Sequence, residues 1–185
     1  MGNQAYGPGT YSFTAPATSV RVQLVAGGGS GGAGDPNDTG EPGTGGYAGQ
    51  YIDQVVSGLT IGQQITVSVG SGGAAVQQWY SSKPPGNPGG NSSFGVYVSC
   101  TGGSGGQALG SWGAGRTPHG QASGYPGSYG GTYTGASPSQ SGYRGGGGAG
   151  GNPFGGGWSG AGGDGYCQLT WTDPPPTKIF SMTES

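Results

Sequence analysis

Ser19-Val20-Arg21-Val22-Gln23-Leu24-Val25-Ala26 runs straight into Gly27-Gly28-Gly29-Ser30-Gly31-Gly32, and this junction decides how the chain is read. Up to Ala26 the residues alternate: Val20, Val22 and Leu24 share one face, with Arg21 and Gln23 opposite. That two-residue period belongs to a half-buried β-strand. After Ala26 there are almost no side chains left to bury. A strand that ends in bare backbone poses the question for the whole molecule, which has 50 glycines in 185 residues.

Working outward, the same alternation returns five times. Gly9 to Thr14 places Tyr11 and Phe13 on one face, and Pro16 ends it. Gln50 to Val56 and Gln64 to Val69 read as an antiparallel pair joined through Ser57-Gly58-Leu59-Thr60-Ile61-Gly62, with Ile65, Val67 and Val69 inward. Ser92 to Thr101 reads as one strand carrying Phe94, Val96, Val98 and Cys100 inward, and Gly165 to Thr172 carries Cys167, Leu169 and Trp171 inward. No segment has a helical period over an adequate length, so the expected class is all-β. Three glycine tracts, 27–49, 70–90 and 102–165, separate the strands. The last has Leu109 as its one aliphatic residue beyond alanine, so it has no means of building a conventional core.

Composition narrows what such tracts are. The glycines never hold one G-X-Y register along the chain, which excludes collagen. Disordered linkers tend to be charged or highly repetitive; this chain has five basic and seven acidic residues and little repetition. A loop as long as 102–165 inside a compact domain needs structure of its own. Polyproline II supplies it, with three residues per turn, a rise of ~3.1 Å and no internal hydrogen bonds. Its N–H and C=O groups point outward, and glycine lets neighbouring copies approach until their backbones bond to each other. The expectation is a small antiparallel β-sandwich-like framework with long glycine-rich loops packed as polyproline/polyglycine-II helices. Residues 1–172 form that domain, and 173–185 form a Pro-rich carboxyl-terminal tail.

Function classes fall away in turn. Five basic side chains cannot make the run of phosphate contacts that duplex nucleic acid requires. Aliphatic stretches fall far short of the ~20 residues of a membrane helix, and Met1 to Pro16 lacks a secretory signal. Synthesis in a cytoplasm, with release by lysis, is the expected route. Cys100 and Cys167 face inward on different strands, either as two small core hydrophobes or as a single bridge. His119, the one histidine, lies in a Gly/Pro/Ser stretch. Gly102 to Gly106 fits G-x-S-x-G but no helix follows, and Gly28 to Gly32 fits it equally well. Gly27 to Gly32 fits G-x-G-x-x-G without a βαβ unit. Asp35, Asp38 and Glu41 cluster in a manner that ordinary turn chemistry explains. A non-enzymatic chain without cofactor or metal is therefore expected.

Aromatic residues interrupt the glycine tracts, and rigid amphipathic rings among Gly, Ser and Thr are what recognition loops use. Trp79, Tyr80, Trp112, Tyr125, Tyr129, Tyr133 and Tyr143 are the candidate receptor-binding residues. Phe154 and Trp158, in the densest glycine run, are expected to be structural. The tail, with Pro174, Pro175, Pro176, Ile179 and Phe180, is a candidate attachment peptide.

Several phrases in order resemble the glycine-rich domain of bacteriophage tail-fibre and adhesin proteins. They are Gly9-Thr10-Tyr11-Ser12-Phe13-Thr14-Ala15-Pro16, Ser19 to Gly29, Gly46-Tyr47-Ala48-Gly49-Gln50-Tyr51, Val56 to Gln63, Val67-Ser68-Val69-Gly70, Gly89 to Gly95, Thr101 to Gly106 and Gly162 to Trp171. The resemblance implies a virion protein whose polyglycine-II bundle presents loops to a host surface glycan or outer-membrane protein. It also implies other virion or fibre proteins as partners and a homo-oligomeric or fibre-bound state, with neither nucleic-acid binding nor membrane insertion. Larger fibre proteins carry an attachment region ahead of this domain. Here the domain begins almost at Met1, so attachment is expected from the framework surface or the tail. The competing expectation is an architectural decoration, cap or filament subunit whose loops pack against neighbouring subunits.

Overall fold

The alternating segments form two antiparallel sheets. A computed structural model describes residues 1–34, 43–77, 84–108, 145, 147–148 and 158–172. The strands are β1 (Gly2–Tyr6), β2 (Gly9–Thr14), β3 (Ser19–Val25), β4 (Tyr51–Ser57), β5 (Gln64–Val69), β6 (Ser92–Phe94), β7 (Val98–Cys100) and β8 (Tyr166–Trp171). One sheet has the order β1-β8-β3-β4 and the other β2-β5-β6-β7. Their inner faces meet in a core of Phe13, Val20, Val22, Leu24, Ile65, Val67, Phe94, Val98, Cys100, Cys167 and Leu169. The framework is the expected all-β sandwich.

Two expectations are corrected, and two are made specific. Segments 50–56 and 64–69 do not pair: β4 pairs with β3 (Val20 opposite Val56) and β5 with β2 (Phe13 opposite Ile65). The reason is the six-residue connection Gly58–Gln63, which crosses from one sheet to the other. It buries Leu59 and bonds along the Ala15–Thr18 crossover, through Leu59 N–H to Thr18 O (3.0 Å), Gly62 N–H to Ala15 O (2.8 Å) and Ala15 N–H to Gln63 O (2.8 Å). Segment 92–101 is a hairpin and not one strand. Gly95 turns it with φ +51°, a backbone region that favours glycine, and Val96 at the tip is 95% exposed. Tyr11 lies on the Phe13 side but at the rim, where its ring stacks on Tyr6 at 4.8 Å and remains partly exposed. The cysteines are unbridged and buried. Burial pushes the Cys100 thiol up to about 11 against a backbone contact at Ile52, and burial together with nearby Cys100 pushes Cys167 to about 12.

β1 has no counterpart in the sequence reading. Gly-Asn-Gln-Ala-Tyr offers no alternating apolar pair; it is an edge strand held by its ladder to β8, from Gly2 opposite Trp171 to Tyr6 opposite Cys167.

Candidate functional site

Every glycine tract leaves or enters the framework at the same pole. β3, β5 and β7 end there in Val25, Val69 and Cys100; β4, β6 and β8 begin there at Tyr51, Ser92 and Tyr166. Ser92 ties the junction, because its buried hydroxyl donates to Val25 O (2.9 Å) and accepts Gly70 N–H (3.0 Å).

Beyond the pole, segment 26–34 is buried along its whole length although no side chain in it is larger than serine. Its backbone explains why. Eight consecutive N–H groups, Ala26 to Ala33, donate in a repeating order of three. Ala26, Gly29 and Gly32 donate to Gln50, Tyr47 and Thr44; Gly27, Ser30 and Ala33 donate to Gly90, Asn87 and Pro84; Gly28 and Gly31 donate to Gly163 and Gly160, all at 2.8–3.0 Å. In each series the partner number falls by three as the donor number rises by three, so these three neighbours run antiparallel. Carbonyls of the same segment accept from three others: Gly27 and Ser30 from Gly103 and Gly106, Gly28 from Gly73, and Gly29 from Gly148. A three-residue period with all bonds made to neighbours is polyglycine II.

The six neighbours close into a ring. Segment 43–50 bonds to 101–107 (Thr44, Tyr47 and Gln50 N–H to Gln107, Ser104 and Thr101 O), and 101–107 is bonded in turn by Gly86 and Gly89. Gly90 donates to Ser71, while Ser159, Gly162 and Gly165 donate to Val76, Gly73 and Gly70. Gly46 and Gly49 donate to Gly148 and Gly145. The last side of the hexagon is a van der Waals one, with Gly148 against the carbonyls of Gly160 and Ala161. Inbound segments (43–50, 84–91, 158–165) alternate with outbound ones (70–77, 101–108, 145–148) around an outbound centre.

Close approach, rather than backbone freedom, demands glycine here. A Cβ on Gly27, Gly29 or Gly32 would fall inside 3.0 Å of the carbonyls of Ser71, Ser104 or Gln107, and one on Gly46 or Gly103 would meet Gly29 or Tyr47. The larger side chains of the ring mostly sit on its solvent face, many of them three residues apart: Tyr47 and Gln50; Thr101, Ser104 and Gln107; Ser71 and Ala74; Pro85, Pro88 and Asn91; Trp158 and Asp164, while buried positions take residues such as Ser30, Ala33, Val76 and Ser159. Two aromatics stand out on this surface, Tyr47 (53% exposed) and Trp158 (54%). Trp158, expected to be structural, makes a backbone bridge to Gln77 but leaves its ring largely in solvent. Tyr47 is not among the sequence candidates; the signal for it is its place in Thr44-Gly45-Gly46-Tyr47-Ala48-Gly49-Gln50, three residues from Thr44 and from Gln50.

The candidate receptor residues Trp79, Tyr80, Trp112, Tyr125, Tyr129, Tyr133 and Tyr143 lie outside the described residues, as do Pro174, Pro175, Pro176, Ile179 and Phe180, the Asp35/Asp38/Glu41 cluster, His119 and Phe154. What is described is where those sequences join the bundle. Gln77 and Pro84, which flank Trp79 and Tyr80, stand at the end away from the sheets; so does Ala108, which precedes the 109–144 stretch, whereas Gly145 stands back beside Val25. The two G-x-S-x-G serines have different fates. Ser30 is fully buried, its hydroxyl accepting Asn87 N–H (2.8 Å), while Ser104 points to solvent.

A two-sheet sandwich that launches a hexagonal polyglycine-II bundle from one pole defines a glycine-rich domain. The chain belongs to the glycine-rich domain family, whose model matches residues 4–172. No curated protein matches it.

Proposed function

We propose that this protein is a bacteriophage virion component, a tail-fibre or tail-tip adhesin module that recognises the host surface through aromatic glycine-rich loops. One observation carries the reading: the bundle is a hydrogen-bonded spacer with a direction. It fixes the ends of the Trp79–Tyr80 sequence and the start of the 109–144 sequence at the end remote from the sheets. A backbone-bonded scaffold can hold variable sequence far from the framework without spending side chains on its own core, which suits recognition loops. The partners are a host glycan or outer-membrane protein at that end and fibre proteins at the other, and the setting is the virion. Binding rather than catalysis is the proposed activity, with no cofactor or metal.

The test replaces Tyr125, Tyr129 and Tyr133 together by alanine in assembled particles. Particles should assemble and lose adsorption. Normal adsorption by assembled particles would overturn the receptor role of these residues and favour the architectural reading, in which the loops pack against other subunits.

A further inference from the structure

The pole opposite the bundle carries its own surface. Two turns form it. In the first, Ile61 is 55% exposed between Gly58 and Gly62, whose φ values are +81° and +86°; in the second, Val96 and Tyr97 follow Gly95. Turn tips ordinarily carry Gly, Asn, Asp or Ser, yet both of these present a β-branched hydrophobe to water. The turns are locked together by Gln63 Nε2 donating to the Tyr97 hydroxyl (2.8 Å). No charged side chain occurs in 14–19, 57–64 or 94–98, and depletion of charge marks the core of a docking surface.

The chain itself supplies an occupant. β8 ends at this pole, so the thirteen residues from Asp173 to Ser185 begin there. Their one apolar pair is Ile179-Phe180. Ring contacts through the core bound the straight-line separation of the Trp171 and Tyr97 rings: Trp171 to Phe13 is 5.6 Å, Phe13 to Phe94 is 5.8 Å and Phe94 to Tyr97 is 6.2 Å. Six residues, Asp173 to Lys178, lie between Thr172 and Ile179; the seven steps reach about 22 Å at the ~3.1 Å per residue of an extended, proline-rich chain, more than that distance. Tethering raises the local concentration of the pair to roughly millimolar, so weak apolar contact suffices.

We infer that the tail 173–185 docks on its own framework, Ile179 and Phe180 covering Ile61, Val96 and Tyr97. The inference holds whether or not the far end binds a host. It is tested on the full chain with a nitroxide on Ser181→Cys; both native cysteines are buried and their thiols pushed up, so the label goes to the tail. The nitroxide should broaden the amide signals of Ile61, Val96 and Tyr97 and spare Gly31 and Gly32, which lie in the bundle beyond the opposite pole. Ile179→Asp with Phe180→Asp, or Ile61→Asp with Val96→Asp, should abolish the broadening while the remaining sheet signals stay in place. Absent or uniform broadening would overturn the docking. So would broadening that appears equally when isotope-labelled chains without nitroxide are mixed with spin-labelled ones, since that places the tail on a second copy.

Discussion

Gly29 and Gly7 are the same residue type under opposite demands. Around Gly29 the backbone of Ser104 closes in, and a Cβ has nowhere to go; around Gly7 nothing lies within 4 Å. Gly29→Ala should therefore destabilise the fold by about 1–3 kcal/mol or more, the cost of overpacking a site whose neighbours are backbone and cannot swing aside. Gly7→Ala should fall within about 0.5 kcal/mol of zero, as surface changes do. Urea unfolding of the two variants checks the contrast, and equal effects would mean that the close approach is not what fixes glycine. The cysteines give a second residue-scale expectation. Folding raises both thiols above their ordinary value of 9.0, to about 11 and about 12. The unfolded chain then ionises first as pH climbs, and stability present below pH 9 should be lost progressively between pH 9 and 12. Denaturation curves across that range should show the loss, and Cys100→Ala with Cys167→Ala should flatten it.

At the scale of the element, the three-residue period is the design, and among the described residues it runs in pieces about eight residues long. Thr101-Gly102-Gly103-Ser104-Gly105-Gly106-Gln107 shows it: Cβ atoms on Gly102, Gly103, Gly105 and Gly106 would each strike backbone, while Ser104 faces water. Alanine substitution along this stretch should destabilise at the four glycines and be tolerated at Ser104, a two-in-three pattern that neither a strand nor a flexible linker would give. The strands around the tracts were legible because Val20/Val22/Leu24 and Cys167/Leu169 alternate over buried cores. Val96 misled because an alternation rule cannot tell a β-branched residue in a strand from one at a hairpin tip; only Gly95 just before it marked the turn. The β4–β5 pairing misled because adjacency in sequence suggests a hairpin, and nothing in Ser57 to Gly62 announces a crossing between sheets. That the glycine tracts form polyglycine II was legible in outline. Their hexagonal order was not, because it lies in which carbonyl each N–H reaches, and glycine leaves no side chain to record the choice.

The whole molecule has two units that cannot be judged by one criterion. The sandwich has an apolar core; the bundle has a buried centre with hardly any apolar side chain, held by hydrogen bonds worth about 0.5–1.5 kcal/mol net each. Glycine loses more conformational freedom on ordering than any other residue, so those bonds offset a large cost only when all close together. The sandwich makes this feasible by pinning the start and the end of each glycine tract, at Val25 and Tyr51, Val69 and Ser92, and Cys100 and Tyr166. Bundle and sheets should consequently unfold in one transition. Ser92→Ala tests the link where it is narrowest: it strips Gly70 N–H and Val25 O of a buried partner, at a cost of about 1–3 kcal/mol. In that variant the exchange protection of Gly28 to Gly32 and of Val22 to Leu24 should fall by the same factor, since both report the same global opening. Selective loss at the glycines, with the strands still protected, would show instead that the bundle opens on its own and that the sandwich does not depend on it.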